Sequence, residues 1–111
     1  MSQKFVATRN KGFAMTFDNN YTISVQWGTE NYCEKKHTTI HPTEPMEHKR
    51  WDSLSAEIAV FDNKEMINIS SDGVDAVIGW LDTHDVAKVI AIVSSAGSVR
   101  EIQTKIKKLG L

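Results

Sequence analysis

The residues best suited to metal chemistry are clustered in one segment of the chain. The only cysteine and three of the four histidines lie within sixteen residues of one another: Cys33, His37, His41 and His48. Cysteine and histidine are preferred zinc ligands, and four of them can complete a tetrahedral structural site. Their spacing, with three, three and six intervening residues, matches no common zinc-finger pattern. The favoured interpretation is a solvated loop with no metal, and the alternative is a zinc-stabilised structural or interaction domain.

A second group that could do chemistry is His84 between Asp82 and Asp85. A histidine beside carboxylates can act as a general base. The simpler interpretation is that acidic residues at the start of a helix satisfy unpaired amides and the helix dipole. The sequence contains no Gly-rich phosphate loop, no Gly-x-Ser-x-Gly elbow and no His-Glu-x-x-His pair. We therefore predict that the protein is not an enzyme and has no catalytic residues.

Aromatic residues suggest a binding surface. Trp27 and Tyr32 flank a predicted turn that ends at Asn31, and Trp51 follows further along the chain. Tryptophan and tyrosine are enriched where binding energy concentrates, because they offer a large apolar body with a polar end. We therefore predict Trp27, Asn31, Tyr32 and Trp51 as the contacts for a ligand or a partner protein. Trp80, in contrast, continues an apolar face and is expected to fill the core.

Composition and charge exclude several classes of function. The 111 residues suffice for one domain, and 41% hydrophobic with 24% charged residues is typical of a folded one. The net charge of -1 gives no general reason to bind nucleic acid or an anionic membrane, and the apolar runs are too short to span a bilayer. A single cysteine cannot form an internal disulfide, and the N-terminus shows no secretory signal. We therefore expect one cytoplasmic domain over residues 1–111 with neither a nucleic-acid nor a membrane partner.

The elements that must position these residues begin with a hairpin. Large apolar residues alternate with small or polar ones over residues 13–17 and again over 21–27, which is typical of strands with one buried face. A three-residue turn, with Asn20 in the left-handed conformation, keeps all large groups on one face. The predicted pairs are Phe17 with Tyr21, Met15 with Ile23 and Phe13 with Val25. A further short strand is expected at residues 4–8, with a bend or bulge at Gly12.

Residues 28–54 interrupt the pattern. This segment is polar and contains both prolines, Pro42 and Pro45, which disfavour a long helix or a central strand. We predict a long irregular loop here, and loops of this length are usually functional or partly disordered. Trp51 and Leu54 are candidates for holding its end on the core.

The second half of the chain predicts a second hairpin, a fifth strand and then helices. Residues 56–61 and 66–69 alternate around a two-residue turn at Asn63 and Lys64, which pairs Val60 with Ile67 and Ile58 with Ile69. Residues 74–80 alternate again. The periodicity then changes, and Asp82 and Ser98 are good N-caps for two helices separated near Gly97. The apolar stripes of these helices are Val86, Val89, Ile90 and Val93, then Val99, Ile102, Ile106 and Leu109.

This order of elements predicts an α+β fold. We expect a mostly antiparallel sheet of about five strands, made of two hairpins and one further strand, with one or two C-terminal helices on one face. The order of the strands stays open at this point, since two hairpins and a fifth strand can be arranged in several ways.

Several segments resemble a family of small bacteriophage and prophage proteins to which no activity is assigned. The likeness lies in the run from Gly12 to Phe17, in Thr22 to Gly28, and in Asn31-Tyr32-Cys33. Later stretches, at residues 56–60 and 77–82, are similar too. The resemblance implies an early or accessory phage product that acts inside a bacterial cell, and it transfers no catalytic residue. The histidine-rich segment is not part of it.

The sequence as a whole predicts a non-enzymatic binding protein, namely a phage accessory factor. Two kinds of target stay open, a host protein or a small ligand such as a nucleotide signal. A chain of this size would enclose a nucleotide only as a homo-oligomer, because its interior is small. No cofactor is expected unless the zinc alternative holds.

Overall fold

The computed structural model describes residues 3–8, 12–28, 31–34, 52–70 and 76–111. Within these residues six strands precede two helices: β1 (Lys4–Thr8), β2 (Gly12–Thr16), β3 (Thr22–Gln26), β4 (Ala56–Phe61), β5 (Met66–Ile67), β6 (Ile78–Leu81), α1 (Thr83–Ser95) and α2 (Val99–Leu109). The predicted α+β class is confirmed. Most of the predicted loop, residues 35–51, lies outside the described residues.

The strands form one antiparallel sheet in the order β1-β2-β3-β4, and β5 and β6 share the remaining edge of β4. The register of the first hairpin is the predicted one, with Phe13 opposite Val25 and Met15 opposite Ile23. Asn20 adopts the left-handed conformation at φ 70°. The alternation of apolar residues fixes this register, because a slip by one residue would turn the whole apolar set toward water.

The second hairpin follows the prediction only at its turn. Val60 pairs with Ile67 as expected, and the carboxylate of Asp62 accepts the N–H groups of Lys64 and Glu65, each at 2.9 Å, which stabilises the turn. The predicted pairing of Ile58 with Ile69 is wrong, since β5 ends at Ile67 and Ile58 pairs with Ile78 of β6. After Ile67 the side chain of Asn68 accepts the N–H of Ser70 at 3.2 Å.

A β-bulge in β6 overturns the prediction that Trp80 fills the core. Ala56 pairs with Leu81 and Ile58 with Ile78, so two residues of β6, Gly79 and Trp80, lie opposite the single residue between Ala56 and Ile58. Trp80 has φ 62°, and the extra residue reverses the alternation beyond it. Leu81 is therefore buried, whereas 60% of Trp80 is exposed. Residues 71–75, where the fifth strand was predicted to begin, lie outside the described residues.

The core lies between one sheet face and the two helices. Residues of β3 and β4 and both helical stripes supply it, and its fully buried members include Ile23, Ile58, Val60, Val89, Val93, Ile102 and Ile106. Helix α1 packs on β3, β4 and β6, and α2 packs on α1. Leu54 does not pack on this core, because 82% of it is exposed. Trp51, its predicted companion, lies outside the described residues.

Both helices begin at the predicted caps. The Asp82 carboxylate accepts the N–H of Asp85 at 2.8 Å, and the Ser98 hydroxyl accepts that of Glu101 at 3.1 Å. Each bond satisfies an amide that the first helical turn leaves unpaired. Helix α2 ends at Leu109, and Gly110 follows as its C-cap with φ 73°. No helix in the described part of the chain has the length and apolar character needed to cross a lipid bilayer.

Candidate binding cleft

An open cleft of about 370 Å³ lies between the N-terminal half of α1 and the neighbouring ends of β2, β3 and β4. The apolar residues that line it are Phe13, Val25, Trp27, Leu54, Ala56, Leu81, Val86, Ala87 and Ile90. The polar ones are Asp52, Ser53, Ser55, Asp82 and Thr83. A cleft of this size, with an apolar wall and a few polar groups, is typical of a small-molecule site.

The sheet contributes an aromatic wall to this cleft. Phe13 lies opposite Val25 in the sheet, and Trp27 continues the same face just past the end of β3. The rings of Phe13 and Trp27 meet edge to face, with centroids 6.0 Å apart and an interplanar angle of 69°. This is a favourable arrangement for two aromatic quadrupoles, and it fixes the orientation of the Trp27 indole.

Helix α1 contributes the opposite wall through Val86, Ala87 and Ile90. These residues lie on neighbouring turns because of the 3.6-residue period. Val86 is buried, Ile90 is half-buried and Ala87 is exposed, so the wall runs from the core to the solvent. Leu54 also lines the cleft, and most of its side chain is in water.

The rim of the cleft is acidic at the start of α1. The bond from the Asp85 N–H holds the pKa of Asp82 below its usual range, so this carboxylate is ionised at neutral pH. The Asp82 carboxylate thus lies at the N-terminus of α1, where the unpaired amides and the helix dipole would otherwise attract an external anion. No lysine or arginine lines the cleft among the residues that the structure describes.

The predicted contact residue Asn31 is part of a hydrogen-bonded corner. Its side-chain oxygen accepts the N–H of Gly28 at 3.1 Å, and its amide donates to Glu57 Oε1 at 3.2 Å. Glu57 Oε2 accepts the N–H of Tyr32 at 3.1 Å. The Asn31 side chain therefore joins the turn at the end of β3 to β4.

Tyr32 lies against β6, and it does not line the cleft. Its carbonyl accepts the N–H of Trp80 at 2.8 Å, and a Cβ added to Gly79 would lie 2.3 Å from the Tyr32 Cβ. Only a glycine permits this approach. Tyr32 is 43% exposed. The structure thus places Trp27 in the cleft and Asn31 and Tyr32 in the adjoining corner, while Trp51 lies outside the described residues.

Cys33 lies in the same corner and is fully buried. Its Sγ donates to the carbonyl of Gly28 at 3.6 Å, whereas a zinc ligand must be a thiolate. The other members of the proposed zinc set, His37, His41 and His48, lie outside the described residues. The described residues contain no cluster of three or more metal-ligating side chains.

His84 lies on the exposed first turn of α1 and does not line the cleft. The neighbouring Asp82 carboxylate is used as the helix cap, which is the structural interpretation given above. Sequence reasoning missed Phe13 and the α1 wall as cleft residues. Their periodicity assigned them to the core, and nothing in the pattern distinguishes a core position from the wall of a cleft.

Comparison with known proteins gives no relative that would assign this cleft a role. The chain matches no protein family, no curated protein and no solved structure.

Proposed function

We propose that this is a non-enzymatic binding protein whose cleft holds a small ligand with an apolar, partly aromatic body. One observation carries the proposal: the cleft between α1 and the sheet is open and mainly apolar, with the edge-to-face Phe13–Trp27 pair on one wall and Val86 and Ile90 on the other. Burying a ligand of this kind releases water from both surfaces, which is the main source of affinity at such a site.

The polar groups around the cleft narrow the chemistry of the ligand. The ionised Asp82 and the hydroxyls of Ser53, Ser55 and Thr83 suit a neutral or cationic group that donates hydrogen bonds. A phosphate would approach Asp82 against like charge, and the helix amides nearest to it already have an anionic partner. Of the two small-ligand types considered, a neutral aromatic compound is therefore favoured over an anionic nucleotide signal.

The resemblance to phage proteins supplies a biological setting for the proposal. In that setting the protein is an accessory factor that sequesters an aromatic metabolite or signal inside the bacterial cell. An apolar side chain of a host protein is the other possible occupant of the cleft. The small ligand is favoured because the cleft is confined to about 370 Å³, whereas a protein partner needs a wider contact area.

The proposal is tested with N-phenyl-naphthylamine, a neutral aromatic dye that fluoresces when it leaves water. We expect saturable binding to the wild-type protein, and at least a tenfold loss of affinity, roughly 1.4 kcal/mol, in Ala87→Trp. Ala87 lines the cleft but is exposed, so the indole would fill the cleft without entering the core.

The matched control is Ala91→Trp, because Ala91 is exposed one turn further along α1 and does not line the cleft. This variant should bind the dye like the wild type. Equal affinity in all three proteins, or no binding to any of them, would contradict the proposal. Urea unfolding of both variants verifies that each retains its stability.

A further inference from the structure

The outer edge of β1 is a candidate for strand pairing with another chain. Strand β1 pairs with β2 on one side and has no described strand on the other. Residues 3–7 are all exposed, and they include Phe5, which is 79% exposed. An edge strand that presents apolar side chains to solvent readily pairs with a further strand.

The hairpin geometry determines which backbone groups face outward from this edge. The N–H of Phe17 donates to the carbonyl of Tyr21 at 2.9 Å, so Phe17 and Tyr21 form a hydrogen-bonded pair. Pairs alternate along an antiparallel ladder, and therefore Thr16, Ala14 and Gly12 direct their N–H and C=O groups toward β1. Their partners in β1 are Lys4, Val6 and Thr8. The N–H and C=O groups of Phe5 and Ala7 consequently point away from β2.

We propose that β1 pairs with β1 of a second copy of this chain, antiparallel and across a two-fold axis at Val6. In this register Phe5 lies opposite Ala7 of the second copy, and Ala7 lies opposite its Phe5. Both are hydrogen-bonded pairs, because the N–H and C=O groups of Phe5 and Ala7 are the ones that point away from β2. Val6 faces its own counterpart in the non-hydrogen-bonded pair between them.

The side chains of β1 fit a second copy in this register. Phe5 and Ala7 lie on the helix-bearing face, since Phe5 pairs with Met15 and Ala7 with Phe13. Each large ring therefore meets a methyl group instead of another ring. Val6, which is 43% exposed, meets Val6 on the opposite face. Lys4 falls opposite position 8 of the second copy, so the two lysines are separated by about 14 Å along the strands.

The sizes and charges along β1 favour a second copy, because pairing about Val6 places each Phe5 ring opposite a methyl group and keeps the two Lys4 ammonium groups apart. A two-fold axis requires one segment to complement itself, and the large-small order of residues 5 and 7 does so about Val6. The register that is centred on Val6 pairs all five residues of β1, whereas an axis at Phe5 or Ala7 leaves residues unpaired. The resulting sheet would run continuously through both copies. Since β1 does not line the cleft, the inference is independent of the proposed function.

Cysteine cross-linking tests the register directly. In a non-hydrogen-bonded antiparallel pair the two Cα atoms are about 4.5 Å apart, which a disulfide can span. Val6→Cys should therefore form a disulfide-linked dimer on mild oxidation, and at least ten times faster than the matched control Lys4→Cys, whose sulfurs would be too far apart. The native Cys33 is buried and adds little background.

Sedimentation velocity across a dilution series supplies a measurement without engineered thiols. We expect a reversible monomer–dimer equilibrium for the wild type, because a five-residue strand pair is a small interface. Ala7→Pro removes an outward N–H and leaves the bonds from β1 to β2 in place, and it should shift the equilibrium to monomer. A wild type that is monomeric throughout, a dimer unaffected by Ala7→Pro, or equal cross-linking of both cysteine variants would overturn the proposal.

Discussion

The side chain of Asn19, in the turn between β2 and β3, donates to the main-chain carbonyl of Val93 at 2.9 Å, near the end of α1. The same amide donates to the carbonyl of Ala96 at 3.0 Å, while its oxygen accepts the N–H of Tyr21 at 3.1 Å. Carbonyls at the end of a helix lack partners within the helix. Asn19 therefore joins the first hairpin to α1 across 74 residues of sequence.

Replacing Asn19 should uncouple this junction. Asn19→Ala is expected to lower the free energy of unfolding by about 1–3 kcal/mol, because the Ala96 carbonyl loses the Asn19 donor and the Val93 carbonyl keeps only the N–H of Ala96. Asn19→Asp should cost more, since it also places a negative charge at the negative end of the helix dipole. Urea denaturation measures both, with Asp18→Ala in the exposed part of the same turn as control. If Asp18→Ala lowered the free energy of unfolding as much as Asn19→Ala, the bonds from Asn19 to α1 would not be the source of the effect.

Gly79 should tolerate no side chain, in contrast to Gly97. In Gly79→Ala the new Cβ would lie 2.3 Å from the Cβ and 2.9 Å from the carbonyl oxygen of Tyr32, so the corner or β6 must move. We expect a loss of roughly 1–3 kcal/mol. In Gly97→Ala the nearest atom is Glu101 Oε1 at 3.7 Å, and the change should be close to neutral. Equal denaturation midpoints for the two variants would show that Tyr32 does not pack on Gly79.

The left-handed backbone at Trp80 predicts an unusual preference for glycine. Trp80→Gly and Trp80→Ala remove the same indole, and only the second retains a Cβ at φ 62°. We therefore expect Trp80→Gly to be more stable than Trp80→Ala by about 1 kcal/mol, because glycine adopts positive φ without steric cost. Thermal unfolding of the two variants gives the difference. The reverse order would indicate that the bulge is absent.

Three carboxylates with lowered pKa values, one in the β4–β5 turn and two at helix starts, should make the protein less stable in acid. Hydrogen bonds from backbone N–H groups lower the pKa of Asp62 and of Asp82. The pKa of Glu101 is lowered mainly by a hydrogen bond from the Lys105 ammonium and, to a smaller extent, by one from the Gly97 N–H. Because these pKa values are lower in the folded than in the unfolded state, the three ionised carboxylates stabilise the folded protein. This contribution is fully present at a pH above the unfolded pKa values of about 4. It is lost as the pH falls through the folded values.

Asp82→Asn separates this titration from the capping itself. Asparagine is as good an N-cap as aspartate, so the variant should be close to the wild type in stability at neutral pH. Unlike aspartate, asparagine does not ionise. The melting temperature of the variant should fall less steeply below about pH 4. The same slope in both proteins would exclude a contribution from the pKa of Asp82.

The zinc alternative makes a prediction of its own at Cys33. Because its thiol is buried and donates to Gly28, we expect slow reaction with a thiol reagent in the native state and rapid reaction in urea. A chelator should leave the melting temperature unchanged. A lower melting temperature with chelator, restored by added zinc, would support the set of Cys33, His37, His41 and His48 instead.

Local patterns in the sequence determined the first hairpin and both helices. The alternation around Asp18-Asn19-Asn20, together with the three-residue turn, fixed the register of Phe13 with Val25, because a shift by one residue would place the apolar residues of the two strands on different faces. Asp82 and Ser98 marked the helix starts, because the side chain of each accepts the N–H of the residue three positions later in the first turn. Features that need only residues near in sequence were therefore predictable.

The tertiary structure alone decided the features that join distant residues. The bulge that exposes Trp80 arises where β6 meets β4 and Tyr32, and no local pattern shows that meeting. The bond that Asn31 donates to Glu57, which makes Asn31 part of a corner, spans 26 residues. The cleft likewise forms where α1 faces the Phe13–Trp27 pair, which lies far from it in sequence, and apolar periodicity does not distinguish a core position from a cleft position.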